Sequence, residues 1–366
     1  AWTLDQAFRE AQAGMTVWIK AGNYGRKALT VSNSGTQSRP IKFIGYRSSV
    51  GDINDMYYRY GSSSIDASRM PLLDYSKPAD KATAISTSSK DYLIIRNIQM
   101  TNYAFGIYNS GGTGVIIDNC IAYNMGSKSV DGRSFFQGGG VNNRIMNSLS
   151  INASRSNMTS NASFTLMSGN KVYCNESGQE ESTDYYYQLG GSASNCIVIN
   201  NYAKRDGNLY HNGHGMSIEN RAGEVSEYNL VENHTVVNIG KAIEFRHDNS
   251  RYHVSRNLRS YGEGTGSETA GGVLFRDGSY GNRVENARVS SGSSGSGIAF
   301  AESSEIGQGF GYDNIVVTSI VQGRKLIYIR NYETNSATGS RIKIYTSVCD
   351  GGDYLFERRS KGSIKM

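Results

Sequence analysis

Apolar residues recur along this chain two positions apart in short runs, and each run is introduced by an asparagine. Asn97, Asn119, Asn147, Asn170, Asn195, Asn233, Asn257, Asn286 and Asn314 each introduce such a run, with apolar residues two and four places on in NCIAYN, NSLSIN, NKVYCN and NCIVIN and a looser version in NHTVVN. Such alternation marks short, half-buried strands. A second asparagine follows five places later at Asn102, Asn124, Asn152, Asn175, Asn200 and Asn238. The intervals between leading asparagines are 22, 28, 23, 25, 38, 24, 29 and 28 residues, the coil length of a parallel β-helix. One coil cannot bury its apolar face alone, so stacked coils must share a continuous core. The expected fold is therefore all-β: a single-stranded right-handed parallel β-helix forming one domain over 1–366, with asparagines stacked at its bends.

The opening LDQAFREAQAG breaks this rhythm, with Leu4, Ala7, Phe8 and Ala11 at helical spacing, Thr3 as N-cap and Gly14 as the stop. We read 1–15 as a helical cap over the first strand, TVWIKAG, since an uncovered end of a parallel sheet would pair with other strands.

The interval of 38 residues between Asn195 and Asn233 exceeds a coil by about a dozen, and it predicts an inserted loop over 201–216 on one face. Beyond it, MSIENR, AIEFRH, GVLFRD and GIAFAE align. This stacks Met216, Ile243, Val273 and Ile298 in one inward column and Ile218, Phe245, Phe275 and Phe300 in another. Alternation then turns Glu219, Arg246 and Arg276, followed by Asn220, His247 and Asp277, toward solvent.

Composition sharpens the picture. Gly (43) is abundant and Pro (3) scarce, Tyr (25) far outnumbers Trp (2), and no apolar run is long enough to span a bilayer. Membrane association is not expected. The start at Ala1 is compatible with a removed signal peptide, so a secreted or periplasmic location is expected. Cys120, Cys174, Cys196 and Cys349 show no CxxC or Cys/His spacing, which excludes a recognisable zinc site and leaves free, buried thiols as the expectation. The net charge of +6 favours an anionic partner. Nucleic acid and acidic polysaccharide both carry that charge, and the polysaccharide is the reading adopted here, with a monomeric protein and no nucleic-acid partner.

All five histidines, His211, His214, His234, His247 and His253, fall within 201–253 among cationic groups. Imidazole titrates nearest neutrality, so this stretch is the candidate site. Arg246 and Arg276 could present planar donor forks to a carboxylate or sulfate. Lys204, Arg205, Glu219 and Arg221 are further candidates for substrate binding, and Tyr187, Tyr210, Tyr252 and Tyr280 suit sugar-ring stacking. A competing reading is a solvent-face charge ladder in which Glu219, Arg246 and Asp277 merely neutralise one another.

The segment GKAIEFRHDN, with GGVLFRDGSYGNRVENA one coil on, resembles the coil pairs around the active-site arginine of β-helical polysaccharide lyases of the alginate lyase and chondroitinase B type. The pattern LDQAFREAQAGMTVWIKAGNY followed by SGTQSRPIKFIGY is similar to the start of the same lyases. The resemblance implies that Arg246 is the catalytic arginine and His247 the histidine after it. It also implies a lysine base one coil earlier, where this chain has Arg221, and acidic calcium ligands just before it, where this chain has His214 and Met216. No metal ligand is assigned on this basis.

The chemistry expected is β-elimination on a 4-linked uronic acid. A cation neutralises the C5 carboxylate, a base takes the C5 proton, and an acid assists the leaving oxygen. Arg246 and Arg276 suit the first task and His211 or His214 the second, with Tyr187 or Tyr210 as acid or alternative base. Rival readings are a glycoside hydrolase using carboxylates such as Glu219 with Asp277 or Glu244, a C5-epimerase sharing the proton abstraction, and a non-catalytic polysaccharide-binding protein.

Overall fold

The computed structural model describes residues 2–54, 65–76, 81–127, 129–175, 183–206, 213–220, 223–261, 271–290, 296–301, 313–322, 325–330, 343–345, 348–350 and 354–359. The chain divides into two units, Ala1–Asp184 and Tyr185–Met366. Each is built as a right-handed parallel β-helix whose coils contribute one strand to each of three sheets. Among the described residues no helix is long and apolar enough to cross a membrane.

In the first unit the helix spans Leu4–Glu10. The Thr3 hydroxyl accepts from the Gln6 amide, Ala7 and Phe8 are buried, and the helix ends at Ala11 rather than at Gly14. Phe8 stacks on Phe43, with centroids 4.0 Å apart. The cap is thereby fixed to the strand Ile41–Tyr46, which pairs with the first strand, Thr16–Lys20. In the second unit the first sheet includes Ile197–Ile199, Leu230–Glu232, Val254–Arg256 and Arg283–Glu285. The second includes Tyr202–Arg205, Thr235–Val237 and Arg259–Tyr261. The third includes Tyr185–Leu189, His214–Glu219, Ile243–Arg246, Gly271–Arg276 and Ser296–Ala301.

The asparagine ladder exists, in a different register from the one expected. Asn97, Asn119, Asn147, Asn200, Asn233, Asn257 and Asn286 all take positive φ at the bend after a first-sheet strand. Asparagine tolerates this left-handed conformation better than other non-glycine residues. The side chains bond in series: Asn119 donates to Asn97 at 2.7 Å, Asn233 to Asn200 at 3.0 Å, Asn257 to Asn233 at 2.8 Å and Asn286 to Asn257 at 2.7 Å.

Asn195 and Asn170 do not belong to that column. Ile199 pairs with Glu232, so Asn200 is the counterpart of Asn233, while Asn195 precedes its strand at a different bend. In the first unit Met146 pairs with Ser168, which makes Gly169 and not Asn170 the counterpart of Asn147. The slip arose because two asparagines five apart flank the second-sheet strand, and NCIVIN matches the motif one bend too early. The coil from Asn200 to Asn233 has 33 residues, not 38. Both ends of the expected loop over 201–216 are regular strand, Tyr202–Arg205 and His214–Glu219, while 207–212 lie outside the described residues. Cys120, Cys174 and Cys196 are buried and form no disulfide with one another.

The inward columns behind the site follow the expected alignment. Ile218 pairs with Phe245, Phe245 with Phe275 and Phe275 with Phe300, and the three rings stack at 5.3 and 5.1 Å. Each buried ring contributes about 1.5–3 kcal/mol by transfer from water. This apolar spine fixes the strands that carry the polar face.

Candidate active site

Strand pairing sets the cluster. Glu219 pairs with Arg246 and Arg246 with Arg276, as alternation requires, while Ser217 pairs with Glu244. At the entry to the same strands Tyr185 pairs with His214, and His214 bridges to Lys241.

His214 is the centre. Its Nε2 lies 2.8 Å from Lys241 Nζ and 2.8 Å from Glu244 Oε2. The Tyr185 ring stacks on the imidazole at 5.2 Å. The contact with Glu244 is an ion contact and not an aligned hydrogen bond, since neither Glu244 oxygen accepts a hydrogen bond of good geometry among the described residues. Burial by itself would raise the pKa of Glu244. The neighbouring His214 and Lys241, helped by Arg246, outweigh it and hold the carboxyl well below the ordinary range, so Glu244 is a carboxylate.

The arginines share a carboxylate. Arg246 Nε and Arg276 Nε each lie 3.1 Å from Asp277 Oδ2. Arg276 also reaches Glu244 Oε1 at 3.5 Å, and Arg246 lies 3.9 Å from Glu219 Oε2. Glu219 is further held by Gln188 at 2.7 Å and by the Tyr185 hydroxyl at 3.3 Å. The charge pairing of the competing ladder reading is thus real. Access is uneven, however: the side chains of Glu244 and Asp277 are 0% exposed, against 17% for Glu219, 19% for Arg246 and 24% for Arg276. The two carboxylates are buried behind groups that a ligand can reach. Burial disfavours the Arg246 cation, yet Glu244, Glu219 and Asp277 together raise its pKa, so it stays charged.

His247 follows Arg246 at φ 76°, a left-handed position. Burial, and then Arg246, lower its pKa below the ordinary value. Its imidazole is therefore neutral near pH 7.

Other expected site residues lie elsewhere. Tyr187, expected to be exposed, is fully buried and donates to the Tyr202 carbonyl at 3.1 Å, because it pairs with Met216 in the inward column. Lys204 and Arg205 lie on a second-sheet strand, where Lys204 bonds Asp206 at 2.9 Å and Arg205 is buried. They do not join the His214 cluster. Tyr252 and Tyr280 sit at the bend after the third sheet, packed edge to face at 5.5 Å. Tyr210, His211 and Arg221 lie outside the described residues.

Two of the histidines are core groups. His234 lies edge-on to Tyr187 at 5.0 Å, neither ring nitrogen is well bonded, and burial lowers its pKa to about 4 against weak opposition from the Gly215 backbone. His253 accepts from the Asn229 amide at 3.2 Å, contacts the Ser250 hydroxyl at 3.2 Å and is lowered by burial to about 3. The sequence alone assigns Lys241 no role. Extending the Met216–Ile243 alignment back by two residues would have placed His214 beside Lys241.

A scan against protein-family models and a search of curated proteins gave no match. Solved structures do match. The alginate lyase from Paenibacillus sp. str. FPU-7 aligns with TM-score 0.54 and 14% identity over 94% of this chain and 95% of that one. The A-module of the Azotobacter vinelandii mannuronan C-5 epimerase AlgE4 aligns with TM-score 0.64 and 12% identity over 95% and 91%. A lacto-N-biosidase from Eubacterium ramulus aligns with TM-score 0.53 and 11% identity over 94% of this chain and 63% of that one. These similarities establish the β-helix fold.

Proposed function

We propose that this protein acts on an acidic polysaccharide outside the cytoplasm and cleaves it by β-elimination at a 4-linked uronic acid. The observation that carries the reading is the His214–Glu244 contact: an imidazole backed by a buried, ionised carboxylate, on the same face as two accessible arginines. Arg246 and Arg276 bind the substrate carboxylate and stabilise the negative charge that develops on it as the C5 proton leaves. His214 takes that proton, and Glu244 stabilises the imidazolium that forms. The electron pair becomes the C4–C5 double bond as the C4–O4 bond breaks, and the Tyr185 hydroxyl supplies the proton to the departing oxygen.

The accessibility pattern argues against the hydrolase alternative. A hydrolase needs two carboxyl groups that reach the glycosidic bond, one holding a proton. Glu244 and Asp277 are buried, and Glu244 is held ionised. Epimerisation remains a second reading because it shares the proton abstraction, and an alginate lyase and a mannuronan epimerase both use this fold. The test is a panel of alginate, polygalacturonate, hyaluronan and chondroitin sulfate, with absorbance of the unsaturated uronate as readout. Deuterium uptake from heavy water without that absorbance would indicate an epimerase. New reducing ends without either would sink the proton-abstraction reading.

A further inference from the structure

The bend that leads from the third sheet back to the first carries groups that the His214 cluster does not use. Two residues before five first-sheet strands of the second unit, among the described residues, the chain enters the left-handed region: Asn195 at φ 57°, Tyr228 at 56°, Tyr252 at 59°, Gly281 at 65° and Asp313 at 50°. Asparagine, glycine and aspartate adopt this conformation at small cost, whereas a bulky aromatic does so only under strain. Strain retained at an exposed position points to a use for the side chain.

Tyr228 and Tyr252 stand in consecutive coils, beside the paired residues Glu227 and Arg251. They are 58% and 42% exposed, and their rings stack at 5.6 Å and 17°. Gly281 makes room for this: a Cβ there would meet the Tyr252 ring at 2.8 Å. Tyr280 closes the row edge-on. Arg251 bonds Glu227 at 2.9 Å and the Tyr280 hydroxyl, and its guanidinium lies 5.8 Å from the Tyr252 ring centre and 5.7 Å from that of Tyr280. Its charge is thus answered locally, and the row presents aromatic surface instead of net charge.

We propose that Tyr228, Tyr252 and Tyr280, aligned by Arg251, form a docking track for an extended polysaccharide chain, gripping the C–H faces of its sugar rings. The ring centres lie 5.6 and 5.5 Å apart on coils separated by one strand spacing, roughly 4.8 Å, a step comparable to one pyranose unit of a linear polymer. Because Arg251 is neutralised by Glu227, binding on the track is insensitive to salt, unlike capture of carboxylates by Arg246 and Arg276. The inference rests on the proposed function for its substrate class only, and its test reads binding and not turnover.

The test is affinity electrophoresis of the whole protein in gels containing sodium alginate, polygalacturonate or neutral hydroxyethylcellulose, at low and high salt. The native protein is expected to be retarded in at least one gel at both salt levels. The double variant Tyr228→Asn/Tyr252→Asn should lose roughly tenfold in affinity, and Tyr228→Phe/Tyr252→Phe should retain it. Asparagine suits the left-handed backbone, so the melting temperature of the asparagine variant should fall by no more than about 2 °C. Equal retardation of native and asparagine proteins, no retardation of the native protein in any gel, or a melting temperature lower by more than about 5 °C overturns the proposal. The last result would mark the rings as packing groups.

Discussion

His214 and His234 are twenty residues apart on one stretch of chain, and they have opposite environments. His214 meets a lysine and a carboxylate at 2.8 Å and keeps an accessible edge. His234 is sealed against Tyr187, with burial as the main influence on its titration. The difference teaches that the neighbouring coil decides what an imidazole does. Pairing puts Lys241 beside His214 and Glu244 on the same sheet, whereas His234 follows Asn233 at the bend and turns inward. Density of histidines along the sequence measures neither.

The sharpest way to break this comparison is to remove the base itself. His214→Gln should lower turnover about 1000-fold while far-ultraviolet circular dichroism stays native, since general base catalysis is worth 10²–10⁴ in rate. His234→Phe should leave turnover within a few-fold of native. If the two variants behave alike, the distinction between a reacting and a structural histidine collapses.

Next in size is Arg246→Ala, for which about 100-fold or more is expected in kcat, from loss of a charge-assisted contact that strengthens as charge develops. Arg276 still reaches Asp277 in this variant, so that buried carboxylate keeps a partner and the fold should persist. Arg246→Lys should recover only part of the rate, because a point charge cannot reproduce the planar fork. Full activity in Arg246→Ala, measured on the polymer that the native protein cleaves, would move the site off this face.

Acid stability probes the core histidines thermodynamically. The folded-state pKa of His234 is lowered by burial to about 4 and that of His253 to about 3, from 6.5. Between pH 6.5 and those values the unfolded chain binds protons that the folded chain refuses, so stability falls as pH drops through this window. The loss is on the order of 3 kcal/mol for His234 alone. Urea unfolding at pH 7 and pH 4.5 should show that fall in the native protein and a smaller one in His234→Phe. An identical fall in both would mean that His234 is not the group titrating.

Much of this architecture could be read from the residues. The β-helix follows from apolar positions that repeat at coil length, and the Phe245, Phe275 and Phe300 spine follows from aligning IEFR, VLFR and IAFA. The outward series Glu219, Arg246, Arg276 follows from the same alignment. The register at Asn195 was not legible, because asparagine occurs at several bends per coil and the motif alone cannot say which. Tyr187 was misplaced although Leu189, two residues on, shares its parity and faces inward: three consecutive tyrosines obscure the alternation, and pairing with Met216 shows that the third faces inward. Lys241 was hidden because its role depends on a partner 27 residues away.

The smallest effect expected concerns the ladder, and it isolates what asparagine contributes at a bend. Asn257 holds φ 54°, donates to Asn233 at 2.8 Å and accepts from Asn286 at 2.7 Å. Asn257→Gly removes both side-chain bonds but adopts the left-handed backbone freely, so about 1 kcal/mol should be lost, given the exposure of the site. Asn257→Ala removes the same bonds and adds the strain of a Cβ in that region, a further 1–2 kcal/mol or so. Denaturant unfolding should therefore rank native above glycine above alanine, with turnover unchanged in both variants because the ladder lies on a different bend from the His214 cluster. If alanine proved no worse than glycine, conformational tolerance would not be the reason for asparagine at this bend, and the side-chain bonds alone would have to account for the column.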